Sequence, residues 1–473
     1  MDAAQARLAR YVIWSVAAAA AVVSAVAFAR YPGSGTVFLA FNLCFFACVA
    51  LLLPRPRLYV YTFLSLLLAL GLWAKTLLHT IWAVPFLEPV GEFGNTPEEW
   101  DRALLAMSAA ALGLVAARAA HLWWARRWRR DAGFAGLPAP AWFVRHRRAL
   151  WIFTLLSLVA VNAANLHFAF FQIGVYPKLL LPLRLHILLA WLVNIGFALW
   201  LSAMIWWEYV SAPGTFARFL ATPVLEAFLS AASSFSRIAF VVHVAPYLLA
   251  LWERRSDIRP ALPARPAAML AGVLALGAIG AVVAVFALRA HYYPHVDRDT
   301  GIAVRPELGK QIAHELPQLL ARRWVGLEGV LAVGSVPGRG MPLLVDAVTD
   351  SPKRAGDSVF QRDSKLQPYR VDRSRFAFLT NAGPTAILLY SGSHAVVMLG
   401  MALIALLAFV TEEAARRWTA NPFFAAVGGA ALANVVSQTT YCYLTAIFLA
   451  QLWVAIALVA LLQGSGTFGR RTC

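Results

Sequence analysis

Apolar runs of about the length that crosses a bilayer, roughly 18–25 residues, alternate along this chain with short polar turns. In order they predict helices over about 11–29, 36–53, 58–84, 103–124, 149–171, 183–206, 216–234, 236–252, 266–288, 387–410, 422–441 and 443–462. Most of these runs are apolar on all sides, the pattern of buried or lipid-facing helices rather than of a surface helix. The run 11–29 follows Arg7 and Arg10 as a signal peptide would. It is long enough to span and another run follows closely, so we read it as an uncleaved first helix. The expected fold is all-α, a polytopic integral membrane protein of about 12 transmembrane helices.

One long stretch, from about His291 to Thr385, is one that a bilayer would not accept, with 13 Arg/Lys against 10 Asp/Glu. It predicts a mainly helical cap between spans nine and ten. The chain then divides into spans 1–290, a cap 291–386, and spans plus tail 387–473. Within the cap, Leu308, Ile312, Leu316, Leu319 and Leu320 recur at helical spacing, an amphipathic helix able to lie on a membrane. Arg322 and Arg323 follow it directly. Glu328 lies about 140° around a helix from Arg323, at roughly 100° per residue. For both to face one substrate, the helix must bend or end near Gly326 or Gly329.

Composition agrees with this pattern: 60% of residues are hydrophobic, which no soluble core of this length supports. The charge of +18 does not indicate nucleic acid, because 36 of the 41 basic residues are Arg and most sit between apolar runs. Arg126, Arg127, Arg129, Arg130, Arg145, Arg147 and Arg148 form the most basic loop and mark it as cytoplasmic. The same rule puts Trp252-Glu253-Arg254-Arg255 inside. Two crossings are therefore needed between Glu208 and Arg255, with a hairpin tip at Ser233-Ser234-Phe235-Ser236-Arg237. Both termini fall inside and the cap outside. The four cysteines are scattered and read as small buried hydrophobes.

Few residues in these runs can carry chemistry. No phosphate-binding Gly loop, dinucleotide fingerprint, nucleophile elbow or HExxH is present. His291 and His295 are one turn apart without a third ligand, so neither a metal nor a cofactor is expected. Lys75 lies inside span three, where a cation needs a polar cavity or must snorkel. The loop after it carries Glu88, Glu92, Glu98, Glu99 and Asp101. Outside, Arg237, Arg322, Arg323, Arg362, Arg370, Arg373 and Arg375 form a cluster unusual for outer loops. A guanidinium fork binds two phosphate oxygens at once and stays charged, so the cluster suits a pyrophosphate at a membrane surface.

Several stretches resemble the Wzy-type oligosaccharide repeat unit polymerases, in the O-antigen polymerase and ligase group of membrane glycosyltransferases. They are Lys75 followed by Glu88-Pro89-Val90-Gly91-Glu92-Phe93, the Ser233-to-Arg237 hairpin, Arg322 to Val330, Tyr390-Ser391-Gly392-Ser393 with Gly400-Met401, and Thr419-Ala420-Asn421-Pro422. The Arg-x10-Gly pattern of that family is met by Arg323 and Gly334. It also occurs at Arg102, Arg298 and Arg417, so its position in the cap matters more than its spacing.

The resemblance implies an inverting, metal-independent glycosyl transfer at the periplasmic face of a bacterial inner membrane. A growing glycan would leave undecaprenyl pyrophosphate for the next lipid-linked repeat unit, and a chain-length regulator could serve as a further partner. By the same resemblance Arg237 and Arg323 would hold the pyrophosphate, supported by Arg322, Arg375 and Lys75. Glu328 would be the base, and Glu88 a partner of Lys75 or an acceptor contact. A transporter or lipid-linked oligosaccharide flippase and an O-antigen-type ligase remain as alternatives.

Overall fold

The computed structural model describes residues 3–53, 57–86, 88–128, 137–254, 264–293, 324–351, 358–365 and 380–464. The amphipathic stretch 308–320 and Arg322, Arg323, Arg370, Arg373 and Arg375 lie outside the described residues. No strand forms among those described, only an isolated bridge between Gln172 and Val175.

The first helices are α1 (Ala3–Phe28), α2 (Gly35–Ala50) and α3 (Tyr59–Leu68), the last passing through a π segment, Ala69–Ala74, into α4 (Lys75–Trp82). Then come α5 (Pro97–Trp128), α6 (Ala141–Phe168) and α7 (Leu185–Trp191), which a second π segment, Leu192–Gly196, joins to α8 (Phe197–Ser211). They are followed by α9 (Pro213–Phe219), α10 (Thr222–Ser234), α11 (Arg237–Glu253) and α12 (Ala264–Tyr292). The described helices between residues 291 and 383 are α13 (Leu327–Gly334), α14 (Met341–Thr349) and α15 (Val359–Asp363). The chain closes with α16 (Pro384–Leu389), α17 (His394–Thr419), α18 (Pro422–Ser437) and α19 (Cys442–Gly464).

Among the described residues, 7 helical stretches are long and apolar enough to cross a membrane: Tyr59–Trp82, Pro97–Arg127, Ala141–Phe168, Pro182–Ser211, Ala267–Tyr292, His394–Thr419 and Cys442–Gly464. Ala17–Phe28, Gly35–Ala50 and Pro422–Ser437 are apolar but shorter. By length and composition this is a multi-pass membrane protein.

Two stretches that the hydropathy reading runs as single helices are broken. The stretch 216–234 breaks into α9 and α10, and the 13 residues of α10 rise only about 20 Å. The stretch 387–410 also breaks. Gly392 adopts a left-handed φ of 71°, and the Ser393 side chain then caps α17 by accepting from Val396 N at 3.5 Å. That helix continues past the apolar run through Glu412, Glu413, Arg416 and Arg417 because each charge finds a partner. Glu412 accepts from the first backbone N–H groups of α3, Tyr59 N at 2.9 Å and Val60 N at 2.6 Å. This is a favourable place for a carboxylate, at a helix N-terminus. Arg417 pairs with Glu413 one turn back at 2.8 Å.

The centre of the bundle is α18, whose Phe423–Ala433 are all buried. It packs on α3, α8 and α11, and Gly429 lets the start of α3 approach it closely. Outside it, α17 lies along α5, where a Cβ on Gly113 would overlap the Met398 carbonyl oxygen. Such small-residue contacts are the usual means of close approach between membrane helices. At the periphery, α12 rests on α10 and α11 and leaves most of its surface exposed.

Candidate functional site

The segment beginning at Trp324, part of the stretch read from sequence as a cap, is inserted into the bundle. Val325 and Gly326 lie against the π segment of the third span, where a Cβ on Gly71 would overlap the Val325 carbonyl oxygen. Gly326 turns with φ 147° and starts α13. One turn later Gly329 stands so close to Ala382 that a Cβ there would overlap its carbonyl oxygen. From Leu327 to Val333 every residue is buried.

This insertion brings Lys75 and Glu328 together. The Lys75 Nζ lies 2.5 Å from Glu328 Oε2 and donates to the Trp324 carbonyl at 2.9 Å. The side chains are only 3% and 4% exposed. Lys75 thus meets its charge requirement inside the protein. Glu328 Oε1 is buried without a hydrogen-bond partner among the described residues. Burial pushes the Glu328 carboxyl above its usual range, Lys75 opposes that, and the nearby Glu88 charge adds to it. Glu88 accepts a hydrogen bond from Thr380 Oγ1 at 2.9 Å.

A second buried pair lies in the other half of the bundle. His243 of α11 faces Glu226 of α10, with Nδ1 3.1 Å from both carboxyl oxygens. Its Nε2 lies 2.8 Å from the Asn194 carbonyl, in the second π segment. A carbonyl only accepts, so Nε2 carries a hydrogen. The Nδ1–Glu226 contact then holds one proton, on the imidazole or on the carboxyl. Glu226 Oε1 also accepts from Ser230 Oγ at 2.9 Å.

Beside this pair opens a cavity of about 480 Å³ between α7, α10, α11, α18 and α19. Its polar lining is mostly amides and hydroxyls, among them Asn194, Ser236, Asn381, Asn434, Gln438 and Thr440, with Trp191 and Phe448 on apolar walls. Among the described lining residues, His243 is the one drawn from His, Lys, Arg, Asp and Glu. The amides are partly bonded to one another, Gln438 Nε2 to Asn434 Oδ1 at 2.7 Å and Thr440 Oγ1 to Asn381 Oδ1 at 2.9 Å. Lys75 and Glu328 are not in this wall. The strip Thr380–Gly383 separates them from it, lining the cavity with Asn381 and touching the Glu328 helix with Ala382.

An apolar groove of about 280 Å³ lies behind the cavity, walled by Val348, Leu388, Ile404, Leu407, Ala446 and Leu449. Thr439 and Thr445 belong to both spaces and their hydroxyls are 3.2 Å apart. A polar chamber and a hydrocarbon-lined groove therefore meet at one pair of threonines.

Arg237 opens α11 just after the turn at Phe235, as the hairpin reading expected. Its guanidinium stands 5.1 Å from the centre of the Phe286 ring. Ser236, beside it, caps the helix by accepting from Ala239 N at 3.3 Å. Arg289 reaches the same turn, donating to the Phe235 carbonyl at 2.9 and 2.6 Å. Two guanidinium groups and a helix N-terminus thus add positive potential beside the cavity wall.

Of the residues singled out from sequence, the structure joins Lys75 with Glu328, sets Glu88 beside them, and holds Arg237 apart at the hairpin. Sequence reasoning missed Asn194, His243, Asn381, Asn434 and Gln438. The signal was faint, a lone polar residue within each apolar run or at its end. No group of His, Cys, Asp and Glu among the described residues is arranged to hold a metal. Compared with known proteins, the chain matches no family model, no curated protein and no solved structure.

Proposed function

We propose that the chain crosses the bacterial inner membrane about 12 times, with both ends in the cytoplasm and the cap in the periplasm. In this reading it polymerises glycan repeat units carried on undecaprenyl pyrophosphate. The observation that carries the reading is the meeting of the amide-lined cavity and the apolar groove at Thr439 and Thr445. A ligand that fills both has a hydroxyl-rich head and a hydrocarbon tail, and a lipid-linked oligosaccharide is such a molecule. Amide side chains offer a donor and an acceptor to each sugar hydroxyl, and Trp191 offers an aromatic face.

In the transfer, the bond from the donor sugar's anomeric carbon to the pyrophosphate oxygen breaks. A bond from the acceptor hydroxyl oxygen to that carbon forms, and the hydroxyl proton passes to a base. Arg237 is assigned to the leaving pyrophosphate because it directly follows Ser236, which lines the cavity, and Arg322, Arg323 and Arg375 of the cap are assigned to the same task. Charge stabilisation of this kind is the largest help an enzyme can give a departing anion. For Glu328 to accept the proton, the Thr380–Gly383 strip must move aside. Lys75 then holds the carboxylate in place, and Glu88 steadies the strip through Thr380.

The test is the lipid-linked glycan pool of a deletion strain. Single repeats accumulating on the outer leaflet support the polymerase. Accumulation on the inner leaflet supports a flippase instead, and a full-length polymer left on its lipid supports a ligase. Restoring the strain with Arg237→Ala should leave membrane abundance normal and glycans short.

A further inference from the structure

A third concavity, separate from the cavity and groove, lies where the start of α5 meets the loop before α14. Its volume is about 480 Å³ and its walls are Glu99, Arg102, Arg339, Gly392 and residues 334–338. Arg102 stands in the second turn of α5. Arg339 is fixed by its backbone: the following Gly340 N donates to the Tyr390 carbonyl at 2.9 Å, and the Arg339 carbonyl oxygen abuts the left-handed Gly392. Both guanidinium groups therefore border one space on a braced frame.

Their charge is not balanced from within. Among the described residues neither arginine has a carboxylate in ion-pair range. Arg102 Nε reaches only the Glu98 carbonyl, at 3.3 Å. The carboxylate on the wall, Glu99, uses Oε2 to accept from the backbone of Gly94 at 2.9 Å and Thr96 at 3.2 Å. Partial burial, and next the charge of Arg102, hold the Arg339 guanidinium below the ordinary arginine value. Two cations bordering one cleft in this way suit a divalent or diffuse anion.

The surroundings show where that anion comes from. Leu105, one turn below Arg102, is 40% exposed, Met341 and Val345 of α14 are 55% and 54% exposed, and Leu399 of α17 is 64% exposed. In a membrane protein these apolar faces meet hydrocarbon. The arginine pair thus stands within one or two turns of the lipid tails, at the depth of headgroups.

We propose that the Arg102–Arg339 cleft binds the phosphate of a membrane lipid, either a phospholipid headgroup or a polyprenyl phosphate. The site goes beyond the transferase reading and does not depend on it. Two residues after Arg339, α14 begins at Met341 and reaches Val348 at the apolar groove about 11 Å further on at helical rise, so the two lipid contacts are distinct.

The experiment is native mass spectrometry of the full-length protein in detergent, titrated separately with phosphatidylglycerol, phosphatidylcholine and undecaprenyl phosphate. Wild-type protein should retain a phosphate lipid about tenfold better than the R102Q/R339Q double variant, the order expected when guanidinium forks are replaced by neutral amides. R339K should fall between, keeping charge but losing the planar fork. E99Q, which removes negative charge from the wall, should retain the lipid more strongly than wild type. Loss confined to phosphatidylglycerol identifies a phospholipid, and loss confined to undecaprenyl phosphate identifies the carrier. Equal retention of every lipid by wild type and the double variant overturns the proposal. If the double variant does not fold, unchanged retention in both E99Q and R339K overturns it equally. Lipid retention is read without glycan synthesis, so failure here is separable from failure of the transferase reading.

Discussion

The bundle uses polar chemistry in two contrasting ways. Around Lys75 and Glu328, opposite charges are sealed by backbone packed on backbone at Gly71 and Gly329. Around Asn434 and Gln438, neutral amides line open space and bond partly to each other. The difference lies in what each can give a ligand. A buried ion pair has its bonding largely consumed and is costly to disturb, whereas a row of amides can exchange partners without leaving a charge stranded. The first arrangement holds the Glu328 helix in the bundle, and the second is free to recognise.

The sharpest way to break this contrast is to remove one charge from the strut. Lys75→Ala or Glu328→Ala should each destabilise the protein by about 3–5 kcal/mol, the usual cost of stranding a buried partner, seen as lost membrane abundance and a lower melting temperature in detergent. Lys75→Met combined with Glu328→Leu should recover most of that loss. Single variants as stable as wild type would mean that the pair does not brace the Glu328 helix.

A smaller effect is expected from Gly329→Ala, whose methyl group meets the Ala382 carbonyl. Overpacking of this kind costs about 1–3 kcal/mol, measurable by the same melt. The amides should behave differently. Gln438→Ala and Asn434→Ala should leave melting nearly unchanged but lower kcat/KM for lipid-linked glycan about tenfold, roughly 1.4 kcal/mol. If they unfold the protein instead, the cavity is structural and the contrast fails.

The finest distinction concerns the groove. Ala446→Phe should disfavour long-chain prenyl donors over short-chain ones by about threefold, near 0.7 kcal/mol. Equal turnover of both chain lengths would remove the groove from the substrate path.

Much of this architecture is legible in the sequence because helix length and hydropathy are local properties. The runs that became α5, α6, α12 and α19 need nothing beyond their own composition. Boundaries set by partners are less visible. The charged end of α17 reads as a loop until Glu412 meets the N–H groups of Tyr59 and Val60, more than 350 positions earlier. The candidate site divides in the same manner. Lys75 stands out as a charge where hydrocarbon is expected, Arg237 ends a hairpin tip marked by its serines, and Glu328 follows the paired Arg322 and Arg323 in the polar stretch. Asn194, Asn381 and Gln438 carry no such contrast singly, and only folding brings them to one wall. Glu328 as the partner of Lys75 was hidden for the same reason, since Glu88 is far closer in sequence.

The strut also sets a timetable for the protein's own synthesis. Lys75 and Glu328 are 253 positions apart, and ribosomes extend a chain by about 5–20 residues each second, so their meeting is delayed by some 13–50 seconds. During that interval α4 carries an unanswered cation, and the slot beside Gly71 is open. Whatever shelters the ammonium meanwhile, whether water in the insertion channel or a lipid headgroup, must yield when Trp324 and Glu328 arrive. Docking of the Trp324–Glu328 segment is therefore a late event in biogenesis, and the helices from Pro384 onward can close only over a peg already in its hole.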